Sequence, residues 1–203
     1  ISVGELQQAT EPVVLLDVRY RMGGPSGHAE YLFGHVPGAV YVDMDTALAA
    51  PAGRGGRHPL PEPEQFVAAM RAAGVSNDSV VVVYDDWSGH AAARCWWLLR
   101  HYGHTQVQVL DGGWSAWRAA GGEVSTLDEQ PQTGAFDGAP GAMPVLVADA
   151  VLDFAERHLL LDARAPERYR GEVEPVDPVA GHIPGARNAP TAGNVTEAGT
   201  FRS

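Results

Sequence analysis

Apolar residues in this chain fall in short blocks separated by polar, glycine- and proline-rich breaks. Val80-Val81-Val82-Val83-Tyr84 is an unbroken run of β-branched and aromatic side chains, as expected of a strand buried on both faces of a parallel sheet. It stops at Asp85-Asp86-Trp87-Ser88-Gly89, and a helical pattern runs from Ala91 to His101. Such a loop lies at the carboxyl end of a strand, where backbone N–H groups converge on a helix N-terminus, and α/β folds place their chemistry there. Val13 to Val18 predicts another strand, with Asp17 and Arg19 at its end. A short strand is expected over Ala39 to Val42, after the Pro37-Gly38 turn. Further strands are expected over Gln106 to Leu110 and Leu159 to Asp162. Ser2-Val3-Gly4-Glu5 has the form of a capping box and predicts a helix to about Ala9. Helices are also expected from Glu64 to Ala73, stopped by Gly74, from Trp114 to Ala120, and from an Asp149 N-cap to Arg157. Tyr20 to Gly34 and Ala50 to Pro63 read as loops, the second carrying Arg54, Arg57 and His58. Residues 123–144 follow neither period and are rich in Gly, Pro, Thr and Ala, which predicts an interdomain linker.

Composition narrows this picture. A length of 203 residues allows one or two domains, and 45% hydrophobic with 19% charged residues suits a globular protein. The formal net charge of −11 argues against a general nucleic-acid binder, because phosphate contacts need basic patches. No run of 18 apolar residues exists, so no membrane span is expected. The polar start ISVGELQQAT has no signal-peptide character, which makes the cytoplasm the default location. A single cysteine, Cys95, excludes an internal disulfide framework.

The chain also repeats itself. Leu15-Leu16-Asp17-Val18-Arg19 followed by Gly34-His35-Val36-Pro37-Gly38-Ala39 is one copy. Leu160-Leu161-Asp162-Ala163-Arg164 followed by Gly181-His182-Ile183-Pro184-Gly185-Ala186 is the other. Two similar α/β units in tandem are expected. The boundaries are 1–122 for the first, 123–144 for the linker and 145–203 for the first part of the second. Counterparts of the Val80–Tyr84 run and of Leu110-Asp111-Gly112-Gly113-Trp114 are missing from the second copy, which therefore reads as incomplete within this chain.

Tyr31-x-x-x-His35-Val36-Pro37-Gly38-Ala39-x-x-Val42 resembles the amino-terminal signature of the rhodanese family, in its two-domain thiosulfate and 3-mercaptopyruvate sulfurtransferase form. Val107-x-x-Leu110-Asp111-Gly112-Gly113-Trp114-x-x-Trp117 is similar to the carboxy-terminal signature, departing at Leu110, where an aromatic is usual, and at Ala116, where Glu is usual. The resemblance implies tandem rhodanese-like α/β domains, each a mainly parallel sheet flanked by helices. It also implies sulfane sulfur transfer through a cysteine persulfide. The partners would be a small anionic sulfur donor and a thiophilic acceptor such as cyanide or a thiol, with no cofactor, nucleic acid or membrane. The thiolate needs a lowered pKa, which a cradle of backbone N–H groups at a helix N-terminus supplies.

In an active copy the nucleophilic cysteine follows the strand directly. Here Asp85 holds that slot, with Asp86 beside it. The first copy is therefore expected to be inactive and the working cysteine to lie beyond Ser203, in the rest of the C-terminal domain, on this or a separate chain. Cys95 sits within the helical pattern beside Trp96 and Trp97 and reads as a small core residue. Active members place a donor-binding Arg where Arg164 stands, with Arg168 and Arg170 as further candidates. The competing reading of Arg164 is an ion pair with Asp162, Glu167 or Glu172. Arg19 is its counterpart in the first copy and reads as structural. His35 and His182 are expected to stabilise their turns, and no His pair has zinc-like spacing. The alternative to an enzyme is a non-catalytic rhodanese-like binding or regulatory module.

Overall fold

The computed structural model describes residues 1–203. It divides into two compact units, Ile1–Met143 with Ala198–Thr200 and Pro144–Glu197 with Phe201–Ser203.

The first unit is built on a four-stranded parallel sheet. Its strands are β1 (Val13–Asp17), β2 (Val40–Tyr41), β3 (Val80–Tyr84) and β4 (Val107–Val109), in the order β2-β1-β3-β4. The apolar run becomes the central strand β3, paired with β1 from Val13↔Val80 to Asp17↔Tyr84 and with β4 from Val81↔Val107 to Val83↔Val109. Its side chains alternate between two cores. Val81 and Val83 join Leu16, Phe66, Met70, Leu98 and Leu99, whereas Val82 and Tyr84 join Val3, Leu6, Val36, Leu110 and Trp117. Each fully buried Val contributes roughly 1.5–3 kcal/mol of transfer free energy, so neither face could be polar without loss. The first core is covered by α4 (Pro63–Ala72) and α5 (His90–His101). The second is covered by α1 (Val3–Gln7) and α6 (Gly113–Ala119).

Helix α1 has the expected capping box, with Ser2 Oγ accepting from Glu5 N and Glu5 accepting from Ser2 N. Gly74 takes φ +83° just past α4, a left-handed stop that a side chain would strain. One segment differs from expectation, and one helix lies where none was expected or excluded. The predicted loop from Tyr20 to Gly34 contains α2 (Gly27–Phe33), capped by Ser26. Asp43 caps a one-turn helix α3 (Met44–Ala47) through Asp45 N and Thr46 N. Gly27 at the first helical position hid α2, because glycine weakens the helical signal.

The predicted linker has no helix or strand, yet its residues up to Met143 are packed on the first unit rather than free. Phe136 is 1% exposed and lies edge-on to Phe66. Gly134 N and Phe136 N donate to Arg71 O and Val75 O, Arg71 Nε donates to Phe136 O, and Ser125 exchanges backbone hydrogen bonds with His35. A single buried aromatic in a Gly/Pro-rich stretch leaves no periodicity to read.

The second unit contains α7 (Val151–Arg157), β5 (Leu161–Asp162), α8 (Pro166–Tyr169) and β6 (Arg187–Asn188). Helix α7 follows a 3-10 turn over Ala148–Ala150 and carries no side-chain cap, so Asp149 is not the cap expected of it. The sheet is the parallel pair Leu161↔Arg187 and Asp162↔Asn188, which repeats Leu16↔Val40 and Asp17↔Tyr41 of the first unit. Residues of β5 help to line a cavity of about 540 Å3, together with Leu160, Ala163, Val179 and Ile183 among others. No helix of the chain is long and apolar enough to cross a membrane.

Candidate functional site: a filled anion cradle and two arginine braces

The loop between β3 and α5 has the architecture of a nucleophile loop, and a carboxylate fills it. Asp85 is 1% exposed. Its Oδ1 accepts from Trp87 N at 2.8 Å and Gly89 N at 2.9 Å, and its Oδ2 accepts from Ala92 N at 2.9 Å. Gly89 (φ +81°) is the N-cap of α5, and Ser88 (φ +54°) is a non-glycine residue in the left-handed region. The backbone N–H groups that a thiolate or a bound anion would need are thus spent on Asp85. Burial raises the pKa of the neighbouring Asp86, against the opposing pull of Arg21 and Arg19. Arg21 Nη2 lies 3.0 Å from Asp86 Oδ2. The Gly112-Gly113 turn fits against this loop. Both glycines have positive φ, Trp114 N donates to Asp85 O, and a Cβ on Gly113 would collide with that same carbonyl.

The two repeat motifs build the same brace twice. In the first unit Arg19 Nε and Nη2 grip the Asp17 carboxylate, the shortest contact being 2.6 Å, and Nη2 also donates to Gly34 O at 2.7 Å. His35 Nδ1 donates to Tyr31 O, its ring stacks on Tyr31 at 3.8 Å, and Tyr31 Oη donates to Ala39 O. In the second unit Arg164 grips Asp162 with the same 2.6 Å contact and donates to Gly181 O. His182 Nδ1 donates to Tyr169 O, its ring stacks on Tyr169 at 3.8 Å, and Tyr169 Oη donates to Ala186 O. The turn-stabilising bonds expected of His35 and His182 are present. The side chains of Arg19 and Asp17 are 3% and 0% exposed, while those of Arg164 and Asp162 are 29% and 11% exposed.

Of the three arginines singled out from the sequence, Arg164 is the most committed. The Asp162 pair, weighed as the competing reading, is present, and Nη1 of Arg164 also reaches Glu174 at 3.4 Å. The hydrogen bonds with Asp162 raise the pKa of Arg164 and lower that of Asp162. Arg168 pairs with Glu174 and Asp177 through Nε and Nη2. Arg170 is exposed and pairs with Glu172 two residues away. The network through Glu174 and Asp177 was not legible in the sequence, because neither acid has a periodic or motif-like spacing to the arginines.

The chain's one thiol is a core residue. Cys95 is fully buried in α5, and burial pushes its pKa up to about 12. Native protein at about pH 8 should react with iodoacetamide more than a hundredfold more slowly than urea-unfolded protein, because only the thiolate attacks. Equal rates by mass spectrometry would overturn the buried assignment. No group of three or more His, Cys, Asp or Glu residues is placed to hold a metal ion.

Residues 2–120 match the Rhodanese-like domain family. The chain is 48% identical over 201 residues to SseB of Mycobacterium tuberculosis, whose name provisionally describes a thiosulfate sulfurtransferase, and the match covers 96% of this chain and 70% of that protein. All of this chain superposes on 78% of SseA from Escherichia coli, described among the 3-mercaptopyruvate sulfotransferases, with a TM-score of 0.86 at 31% identity. It also superposes on 3-mercaptopyruvate sulfurtransferase from Leishmania major with a TM-score of 0.88 at 28% identity, spanning 58% of that chain. The protein belongs to the rhodanese family. Within that family its fold matches that of 3-mercaptopyruvate sulfurtransferases.

Proposed function

We propose that the protein is a sulfurtransferase that moves sulfane sulfur from thiosulfate or 3-mercaptopyruvate to a thiophilic acceptor such as cyanide or a thiol. The observation that carries this reading is the 48% identity to a protein described as a thiosulfate sulfurtransferase. The nucleophile is a cysteine outside residues 1–203, in the C-terminal repeat. Two observations support that placement: Cys95 is sealed in the core, and Asp85 fills the cradle of the first copy. The thiolate attacks the outer sulfur of thiosulfate, and the donor S–S bond breaks with its electron pair leaving on sulfite. Cyanide then attacks the terminal persulfide sulfur, thiocyanate departs and the thiolate returns. This double displacement predicts ping-pong kinetics and needs no external oxidant or cofactor.

The domain boundaries follow the repeat: a scaffold copy over 1–122, a connection over 123–144 and the reacting copy from 145 onward. A parallel strand of β3 type, laid along the free side of β5, would complete the second sheet. The first unit supplies the template, since there Tyr84 Oη accepts from Val36 N, and Ile183 is the counterpart of Val36.

Arg168 is the donor-anion contact, Arg164 braces the loop behind it and Arg170 lies at the rim. The residue before the stacked tyrosine is Glu30 in the first copy and Arg168 in the second, so the cation is particular to the reacting copy. Nε and Nη2 of Arg168 are held by acids, which leaves its Nη1 for a ligand.

The test is thiocyanate formation from cyanide by the protein expressed from its own gene. Arg168→Met should raise KM for the donor about 10- to 100-fold, the worth of one charge-assisted hydrogen bond, with kcat little changed. An unchanged KM would remove Arg168 from the site. A complete lack of turnover with either donor would favour the second reading, a non-catalytic binding or regulatory module, which the filled cradle and the sealed thiol also fit.

A further inference from the structure

We infer that Glu174 is a positioning residue, which holds the Arg168 guanidinium by one edge and turns the other toward the donor anion. The inference rests on the assignment of Arg168 as the anion contact. Glu174 is the most heavily bonded acid of the second unit. Its Oε1 accepts from Arg168 Nη2 at 2.7 Å, Asp177 N at 2.9 Å and Val176 N at 3.0 Å. Its Oε2 accepts from Arg168 Nε at 3.3 Å and Arg164 Nη1 at 3.4 Å. The side chain is 6% exposed although it lies on a loop. The two backbone N–H groups belong to Glu174's own turn and hold its carboxylate independently of either arginine, so the acid acts as the anchor and Arg168 as the piece it orients. Asp177, accepting from Arg168 Nη2 at 2.9 Å, closes the same side.

The contrast between the repeats gives this arrangement a purpose beyond packing. Tyrosine and histidine of the stacked pair are four residues apart in the first copy and thirteen apart in the second. The longer connection carries Glu174 and Asp177. The first unit builds the same Asp–Arg–carbonyl brace with neither acid, so the brace does not need them. What they add is a fixed direction for a second arginine. An arginine gripped along its Nε–Nη2 edge loses little further side-chain entropy when its Nη1 edge takes a ligand. The backbone N–H of Asp177 and the Arg168 pair hold the pKa of Glu174 down at about 2, so the anchor stays charged at any working pH.

A double-mutant cycle on donor KM tests this, with cyanide as acceptor. Glu174→Gln should raise KM for thiosulfate about three- to tenfold, the range for one ordinary hydrogen bond, with kcat and KM for cyanide unchanged. In the Arg168→Met background the same substitution should have no further effect, because the anchor then has nothing to orient. An unchanged KM in the single variant, or an equal rise in both backgrounds, would overturn the positioning role while leaving Arg168 in place. If Arg168→Met itself leaves KM unchanged, the donor-contact assignment fails first. Should Glu174→Gln not fold, Glu174→Asp carries the same cycle. It keeps the charge but draws the carboxylate back by one methylene, so KM must still rise, and only while Arg168 is present.

Discussion

Arg19→Met should lower the stability of the first unit by about 3–5 kcal/mol, the usual cost of removing one partner from a buried ion pair. Asp17 is completely buried, and Arg19 holds its carboxylate through Nε and Nη2 while also binding Gly34 O. The variant strands a carboxylate at the end of β1, beside Tyr84 of the central strand, whose own pKa burial raises. Val18 N and Tyr84 O keep the strands paired, so the loss comes from the carboxylate rather than from the sheet. The measurement is urea unfolding followed by tryptophan fluorescence. Trp87, Trp96, Trp97, Trp114 and Trp117 all lie in the first unit, so the signal reports that unit alone. A fall in midpoint at unchanged slope is expected. Asp17→Asn combined with Arg19→Met should recover part of the loss, since the stranded charge is then gone. A loss below about 1 kcal/mol for Arg19→Met would show that water or rearrangement satisfies Asp17. Arg164→Met should cost less in the second unit, because the Arg164–Asp162 pair is partly exposed and solvent screens it.

Asp85→Ala should cost the first unit about 2–4 kcal/mol. It deletes three charge-assisted hydrogen bonds and leaves the N–H groups of Trp87, Gly89 and Ala92 without their acceptor. Asp85→Asn should cost less, because the amide oxygen can still accept from part of the cradle. The orphaned N–H groups at the start of α5 would then form an anion nest. Sulfate or thiosulfate should therefore raise the melting temperature of Asp85→Ala more than that of the parent protein at equal ionic strength, by the linkage of binding to stability. Equal responses would mean that the loop collapses once the carboxylate is gone. A loss under about 1 kcal/mol would mean that the cradle is not what holds the loop.

Both predictions depend on features that the sequence revealed only in part. Asp85 could be read from its place after the Val80–Tyr84 run, and that a carboxylate cannot carry a persulfide follows from its chemistry alone. That the carboxylate takes up the whole cradle could not be read there, because backbone N–H directions depend on Gly89 and Ser88 adopting positive φ. The pairing of Asp17 with Arg19 is local, two residues apart on a strand end. Its setting depends on Gly34 O, fifteen residues away, and on the Trp114 ring, which the Arg19 guanidinium overlies at 5.1 Å. The same applies to Arg164. The resemblance implies that it binds the donor, and the sequence did not show that its N–H groups also bond to Glu174 and Gly181 O besides Asp162. Helix α2 and the strap around Phe136 escaped detection because a glycine start and a lone aromatic carry no period.

By itself the sequence determined the tandem repeat, the parallel sheet with its doubly buried central strand, the Gly-His-x-Pro-Gly-Ala turns and the absence of a cysteine after β3. These follow from side-chain polarity, spacing and turn chemistry, which act over a few residues and are written along the chain. Only the tertiary structure decided which acids and carbonyls Arg164 and Arg168 bond to, that Asp85 fills the cradle, and that Glu174 ties Arg164 to Arg168. Those outcomes depend on how many hydrogen-bond partners converge on one group from segments far apart in sequence, a sum that exists only once the chain has folded.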